Sequence, residues 1–252
     1  MQYTFGIHAV AGLLRSHPQS VQRLWLQQGR EDKRFVALLE LARNQGVTVA
    51  RAPRADLDTM VDGRHQGVVA ETVERSEQGE LSQSNLWSEK DLLQHVEEAA
   101  EPVLILVLDG VTHPHNLGAC LRSADAAGVN AVVVPKDKSA DLGPTVRKVA
   151  CGAAETVPFV RVTNLSRFLK ALKAQNVWLY GTAGEAEKSL YDNDLSGSMA
   201  LVMGAEGAGL RRLTREQCDF LIKLPMAGSV SSLNVSVATG ICLFEVVRQR
   251  LG

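Results

Sequence analysis

Several features that would place a chain in a special class are missing here. Four cysteines in 252 residues, Cys120, Cys151, Cys218 and Cys242, lie far apart with no CxxC pair. That spacing argues against a disulfide frame or a zinc site and fits free thiols in a reducing compartment. No apolar run approaches the roughly 20 residues of a membrane span. The opening residues, MQYTFGIHAV, do not join a basic stretch to an apolar one, so no signal peptide is expected and the chain is read as soluble and cytoplasmic. The N-x-S triplets at Asn164 and Asn234 are then chance matches. His113 and His115 flank Pro114 without a third ligand nearby, so no metal is expected. There is no Walker A sequence and no internal repeat. Neither sign of charge prevails, with 27 Lys/Arg against 28 Asp/Glu.

That balance conceals a division. Residues 1–72 hold nine Lys/Arg and seven Asp/Glu, residues 73–101 two and eight, and residues 102–252 sixteen and thirteen. Two mildly basic parts flank an acidic one, which suits a polyanionic partner without requiring it. The stretch ETVERSEQGELSQSNLWSEK is poor in aliphatic residues and rich in Ser, Glu and Gln. It marks a linker, placed at residues 73–97, between a small unit (1–72) and a larger one (98–252).

In the small unit VQRLWL, GVTVA and GVVAETV have the look of strands and RFVALLELARN of a helix, giving a modest α/β domain. Beyond the linker DLLQHVEEAA is helical. The runs VLILVLDG, NAVVVP, ETVPFVRV, VWLYGT, MALVMG and FLIKLP are continuously aliphatic or β-branched and end in Gly, Pro or polar turns. Such runs suit strands buried on both faces, hence a mostly parallel sheet covered by helices, expected over 116–127, 164–175, 207–217 and 231–249. Thr214 and Gln217 have the spacing of a capping box.

Ligands of parallel α/β sheets sit beyond the C-terminal strand ends. Three turns there stand out. MGAEGAG is glycine-rich, but its G-x-x-G-x-G spacing is not the dinucleotide G-x-G-x-x-G, and Glu206 would meet a phosphate. A nicotinamide dehydrogenase is therefore disfavoured. In DGVTHPHNLGACLRSADAAG, Asn116 is placed to cap a helix, and Arg122 lies among Ala119, Cys120, Ser123 and Ala126, small neighbours that suggest a packed face and an anion partner. In GSVSSLNVSVATGICLFEVVR, Ser229, Ser231, Ser232, Asn234 and Ser236 crowd the start of an amphipathic helix whose Val237, Ile241 and Phe244 share a face. Ser232, Ser236 and Gly240 form a stripe of small residues at four-residue spacing, suited to close approach of another helix.

Together NLGACLRSADAAG, ALVMGAEGAGL and PMAGSVSSLNVSVATGICLFE resemble the three motifs of the SpoU (TrmH) family of RNA 2′-O-ribose methyltransferases. HQGVVA resembles that family's N-terminal substrate-binding domain, and KVACGAAETVPFVRVTNL its branch acting on guanosine in bacterial 23S rRNA. His113 stands where the family often has Asp. The resemblance implies a SPOUT fold, α/β with a deep trefoil knot, a small N-terminal domain like a ribosomal protein, a homodimer, and S-adenosylmethionine in the knot. It implies that Arg122 acts on the 2′-OH, with Asn116, Glu206, Ser232 and Asn234 positioning ribose and loops. It also implies that backbone around Gly204, Leu224, Met226 and Leu233 holds the cofactor. Residues 29–34, GREDKR, are a candidate RNA contact. A noncatalytic RNA-binding module and a methyltransferase acting on another rRNA or tRNA nucleotide remain alternatives.

Overall fold

The computed structural model describes residues 2–16, 18–30, 32–72, 85–205 and 207–252. The chain divides into two compact units, 1–83 and 84–252.

The first unit runs β1 (Gln2–Phe5), α1 (Ile7–Ser16), β2 (Val21–Gln27), α2 (Lys33–Asn44), β3 (Val49–Ala52), α3 (Arg54–Met60) and β4 (Val68–Thr72). The sheet order is β1-β4-β2-β3, with β4 antiparallel to both neighbours and β2 parallel to β3. Asp32 caps α2 by accepting from the amides of Arg34 and Phe35, and Phe35, Leu38 and Ala42 then fall on one buried face at helical spacing. That face joins Val10, Leu14, Leu24 and Leu26 in the larger core of the unit, while Leu57 of α3 packs with Val69 on the opposite side of the sheet. Both α1 and α3 escaped the pattern reading.

The second unit contains β5 (Leu86–Trp87), α4 (Glu89–Glu98), β6 (Leu104–Asp109), α5 (Pro114–Ala126), β7 (Ala131–Pro135), α6 (Pro144–Ala150), α7 (Ala153–Thr156), β8 (Phe159–Val162), α8 (Leu165–Ala174), β9 (Trp178–Thr182), β10 (Lys188–Ser189), β11 (Met199–Gly204), α9 (Arg212–Arg215), β12 (Phe220–Lys223) and α10 (Val235–Leu251). Its eight strands form one parallel sheet in the order β10-β12-β9-β11-β6-β7-β8-β5. The continuous runs are indeed covered on both faces. Leu104, Leu106 and Leu108 of β6 join the core under α5 and α10, whereas Ile105 and Val107 join the core under α4 and α8. Each such fully buried side chain contributes about 1.5–3 kcal/mol. From β6 the chain builds outward through β7 and β8, then crosses to β9, and β11 inserts between β9 and β6. The switch in direction lies at the β6–β11 pair, where Gly204 and Asp109 are register partners at the C-terminal ends.

Four local readings differ from the structure. Of the linker stretch, residues 73–84 lie outside the described residues, but 85–97 belong to the second unit. There β5 pairs with β8, Ser88 and Asp91 form a reciprocal capping box on α4, and Leu92 is fully buried. A few well-spaced apolar residues outweigh the acidic composition. The helix expected over 207–217 shrinks to α9, because Gly207 (φ +74°) and Gly209 (φ +66°) adopt left-handed backbone that a helix cannot contain. Thr214 is buried inside α9 and its side chain caps nothing, since Arg211 holds the N-cap position. Asn116 is not the N-cap of α5: Pro114 takes the first helical position and His113 precedes it.

Candidate active site

At the C-terminal end of β11 the chain makes a tight glycine turn. Ala205 and Gly209 exchange backbone hydrogen bonds of 3.0 and 2.9 Å, closing a loop on itself. Gly204 has no room for a side chain: a Cβ would lie 2.2 Å from the Gly209 carbonyl carbon and 2.4 Å from the Leu210 amide nitrogen. Glycine at 204 is thus a packing requirement as well as a turn residue. Glu206 lies outside the described residues.

Segment 224–234, between β12 and α10, faces this turn. The two surround a cavity of about 650 Å³, a size suited to a nucleoside-sized ligand. Gly204, Leu224, Met226, Ser232, Leu233 and Asn234 all line it. Leu190, Met203 and Cys242, all buried, also line the cavity. Burial pushes the Cys242 thiol up to about 12, so it stays neutral and is no nucleophile. At the rim Glu185 pairs with Arg215, and that guanidinium holds the carboxyl below its ordinary range.

Asn234 explains the polar start of the last helix. Its Oδ1 accepts from the Ser236 amide (2.9 Å) and hydroxyl (2.6 Å), capping α10. Its Nδ2 donates to Asn116 Oδ1 at 3.1 Å, a link across 118 residues that joins the cavity wall to the first turn of α5. Ser229, Ser231 and Ser232 precede the helix and are exposed; Ser231 and Ser232 face the cavity. Behind this link α5 and α10 pack closely through small groups. Cys120 Sγ lies 3.6 Å from Thr239 Oγ1, and a Cβ on Gly240 would sit 3.6 Å from Ser123 Oγ. The stripe ending at Gly240 therefore meets α5 of its own chain at that glycine. The other apolar face of α10, Val237, Ile241 and Phe244, is the exposed one, at 50%, 37% and 51%.

Arg122 lies two turns along α5 from Asn116. It is exposed, not packed, and its Nη1 donates to Cys151 Sγ at 3.7 Å. Of the small neighbours read as a sign of burial, Cys120 and Ser123 serve the α10 contact, whereas Ala119 and Ala126, on Arg122's own side at i−3 and i+4, are half-buried and exposed. Cys151 itself adopts left-handed backbone (φ +55°) between α6 and α7, an element break that no periodicity announced.

The sequence model of the SpoU rRNA methylase family matches residues 103–244, and that of the RNA 2′-O ribose methyltransferase substrate-binding domain matches 3–78. The chain belongs to the SpoU methylase family. Its similarity to characterised members runs through both units. It is 58% identical over 250 residues to the 23S rRNA (guanosine-2′-O-)-methyltransferase RlmB of Pseudomonas putida, covering 99% of this chain and 97% of that one. To the RlmB of Escherichia coli K12 it is 57% identical over 247 residues, covering 98% of each. Among solved structures, an RNA 2′-O ribose methyltransferase superposes with a TM-score of 0.75 at 26% identity, over 99% of this chain and 89% of that one. The SpoU methyltransferase AviRb of Streptomyces viridochromogenes, solved with S-adenosylmethionine, gives 0.72 at 26% identity, over 99% and 90%.

A SpoU cofactor fits what the cavity offers. S-adenosylmethionine is a sulfonium cation without phosphate, and the cavity has a glycine turn without the dinucleotide spacing and a carboxylate, Glu185, at its rim. Among the described residues no cluster of three or more His, Cys, Asp or Glu could hold a metal, and no helix is long and apolar enough to cross a membrane. In the first unit, Arg30 of the GREDKR turn is engaged within the fold. It pairs with Asp32 (2.6 Å), donates to the Gln66 carbonyl (2.7 Å) and lies 4.7 Å over the Phe35 ring. Lys33 and Arg34 are the exposed cations of that turn. Asp109 and Arg211, which sequence reasoning passed over, flank the glycine turn as an ion pair whose carboxylate is fully buried and whose guanidinium side is exposed.

Proposed function

We propose that this protein transfers the methyl group of S-adenosylmethionine to the ribose 2′-OH of a guanosine in 23S rRNA. The observation carrying the proposal is the Asn234–Asn116 hydrogen bond, which ties the cavity to the helix that bears Arg122. Names printed for relatives at 57–58% identity across the whole chain supply the target. Gly204, Leu224, Met226 and Leu233 hold the cofactor, mainly through backbone groups, and the bound cofactor supplies an electrophilic methyl on a sulfonium. A ribose hydroxyl is a poor nucleophile until its proton is drawn away. Arg122 donates to the 2′-oxygen and the neighbouring phosphate and stabilises the developing negative charge. It does not take the proton, because a guanidinium has no acceptor site; the proton passes to solvent water as the oxygen takes the methyl group. Asn116, Ser232 and Asn234 position the ribose and the turn, and Glu206 shares that task.

Residues 1–72 bind RNA, residues 98–252 carry the chemistry, and 73–97 connect them, with 85–97 packed onto the catalytic unit. The insertion of β11 between β6 and β9, followed by the return of the chain along the glycine turn, supports the deep trefoil knot of this reading. The exposed face Val237–Ile241–Phe244 supports a homodimer, since an apolar strip on a terminal helix calls for a partner surface. The enzyme works in the cytoplasm, where its substrate is assembled.

The test is methylation of 23S rRNA isolated from a strain deleted for this gene, with labelled S-adenosylmethionine and mapping of alkali-resistant linkages. One protected guanosine is expected. Label on a base, on tRNA alone, or nowhere refutes the proposal.

A further inference from the structure

The glycine turn is pinned from below by a carboxylate that nothing above employs. Asp109, at the last position of β6, has no solvent exposure. Its Oδ2 accepts from the backbone amide of Arg211 (3.0 Å) and its Oδ1 from Arg211 Nε (2.5 Å), with a further ion pair to the same guanidinium. The two residues are 102 positions apart. Arg211 directly follows Gly209 and Leu210, both of which line the cavity, whereas neither Asp109 nor Arg211 lines it. On the other side of the turn, Gly204 is the register partner of Asp109 itself. The Asp109 carboxylate thus holds the C-terminal end of the turn while the Asp109 backbone pairs at its N-terminal end, and the described residues between them include two left-handed glycines, Ala208 and the Ala205–Gly209 bridge.

A glycine turn of this kind has many accessible backbone states, and binding a ligand against it costs the entropy of ordering it. A charge-assisted anchor on a fully buried carboxylate removes that cost in advance. We infer that Asp109, acting through Arg211, is a positioning residue that sets the affinity for S-adenosylmethionine by holding the 204–211 turn in its binding shape. The inference rests on the reading of the cavity as the cofactor site. Asp109 touches neither cofactor nor RNA. It governs the occupancy of the cofactor site and leaves the transfer step alone.

Asp109→Asn keeps the shape and one acceptor oxygen but loses the charge that grips the guanidinium. Its cofactor dissociation constant, by calorimetry on the full chain, is expected to rise at least tenfold. At saturating cofactor, kcat and the KM for rRNA should return to within twofold of wild type. Arg211→Gln should weaken cofactor binding to the same extent, and the double variant should be no weaker than either single one, because the pair acts as a unit. A merely structural role would lower the melting temperature and leave cofactor affinity untouched. Should Asp109→Asn fail to fold, Arg211→Lys, which keeps the charge but not the fork, decides the matter by the same measurement. Cofactor affinity within twofold of wild type in the folded variants overturns the inference. Ala238→Phe, which fills the cavity, separates it from the underlying reading. If Ala238→Phe abolishes cofactor binding while Asp109→Asn does not alter it, only the role of Asp109 falls. If Ala238→Phe binds normally, the cavity is not the cofactor site and both fall.

Discussion

The two halves of the candidate site differ in how finished they are. The cavity half is built within one chain: a glycine turn with no space for a Cβ at 204, an anchoring ion pair beneath it, and a wall supplied by β11, β12 and α10. The α5 half is open. Arg122 is exposed, its near neighbour is the thiol of Cys151, and the apolar face of α10 beyond Asn234 also faces outward. On the proposed reading, the cavity half needs one chain to hold the cofactor, whereas the nucleophile side is open to what comes to it: RNA on Arg122 and, as proposed above, a second copy on α10. Breaking each half separately should give separable defects.

The largest effect is expected on the open half. Arg122→Ala removes the proposed donor for the developing oxyanion and should lower kcat about a hundred- to a thousandfold, the loss typical of one such donor. Because Arg122 is exposed and lies outside the cavity wall, cofactor affinity and melting temperature should stay as in the wild type. Arg122→Lys should rescue little, lacking the planar fork. Isothermal titration beside single-turnover methylation checks the separation; a parallel loss of cofactor binding would mean the two halves are not independent.

Next in size is the proposed dimer face. Phe244→Arg puts a charge into the exposed apolar strip and should cost about 2 kcal/mol or more of association, roughly thirtyfold in dimer affinity. Sedimentation should show a monomer at low micromolar concentration, with cofactor binding intact and rRNA methylation reduced in step with dimer content. The stripe ending at Gly240, suited to close approach of another helix, packs there toward Ser123 of its own chain. A Gly240→Arg variant should instead disturb the α5–α10 contact and lower stability.

Much of this architecture was legible because burial on both faces leaves a mark that does not depend on context. The runs in β6, β7 and β11 could only be central strands, and they are, with all of β6 and β7 buried. Two of the three motifs, the glycine turn and the segment before α10, meet at the cavity, and the first joins them through the Asn234–Asn116 hydrogen bond. What escaped depends on geometry that composition does not encode. The acidic stretch hid β5, whose few apolar residues are placed by β8, while α4 was legible as a helix in DLLQHVEEAA but partly assigned to a linker. Arg122 was read as packed because small neighbours suggested burial, but Cys120 and Ser123 face α10 and Ala126 beside it is itself exposed. Asp109 reads in sequence as an ordinary turn residue before Gly110, and nothing short of the fold brings Arg211 to it, 102 residues away.

The asparagine bridge tests how the halves communicate. Asn234→Ala loses both the cap and the donor to Asn116, and should cost about 1 kcal/mol, or about 2–4 °C in melting temperature. Asn234→Asp keeps an acceptor for Ser236 but cannot donate to Asn116. Its stability should match the wild type while methylation falls. If Asp also restores activity, the contact with Asn116 is not what couples cavity to α5.

The smallest effect lies at the far end of α10, away from both halves. Glu245 is buried, and hydrogen bonds first from Arg248 and then from Gln249 hold its carboxyl down at about 2, against an ordinary 4.5. Gln249 in turn donates to the Asn193 carbonyl and accepts from the Leu195 amide, so this network fastens the helix to the 193–195 loop. A carboxyl whose folded value lies below its unfolded one adds stability that is fully present above the unfolded value and is lost as the pH falls toward the folded one. Glu245 should therefore stabilise the protein evenly from pH 7 down to about 5, and lose that contribution progressively between pH 4.5 and 2. Glu245→Gln removes the charge at every pH. The difference in urea midpoint between wild type and Glu245→Gln should be constant above pH 5, shrink below 4.5 and be gone near pH 2. A difference that persists unchanged to pH 2.5 would mean that packing of the side chain, and not its charge on Arg248, is what secures the end of the helix.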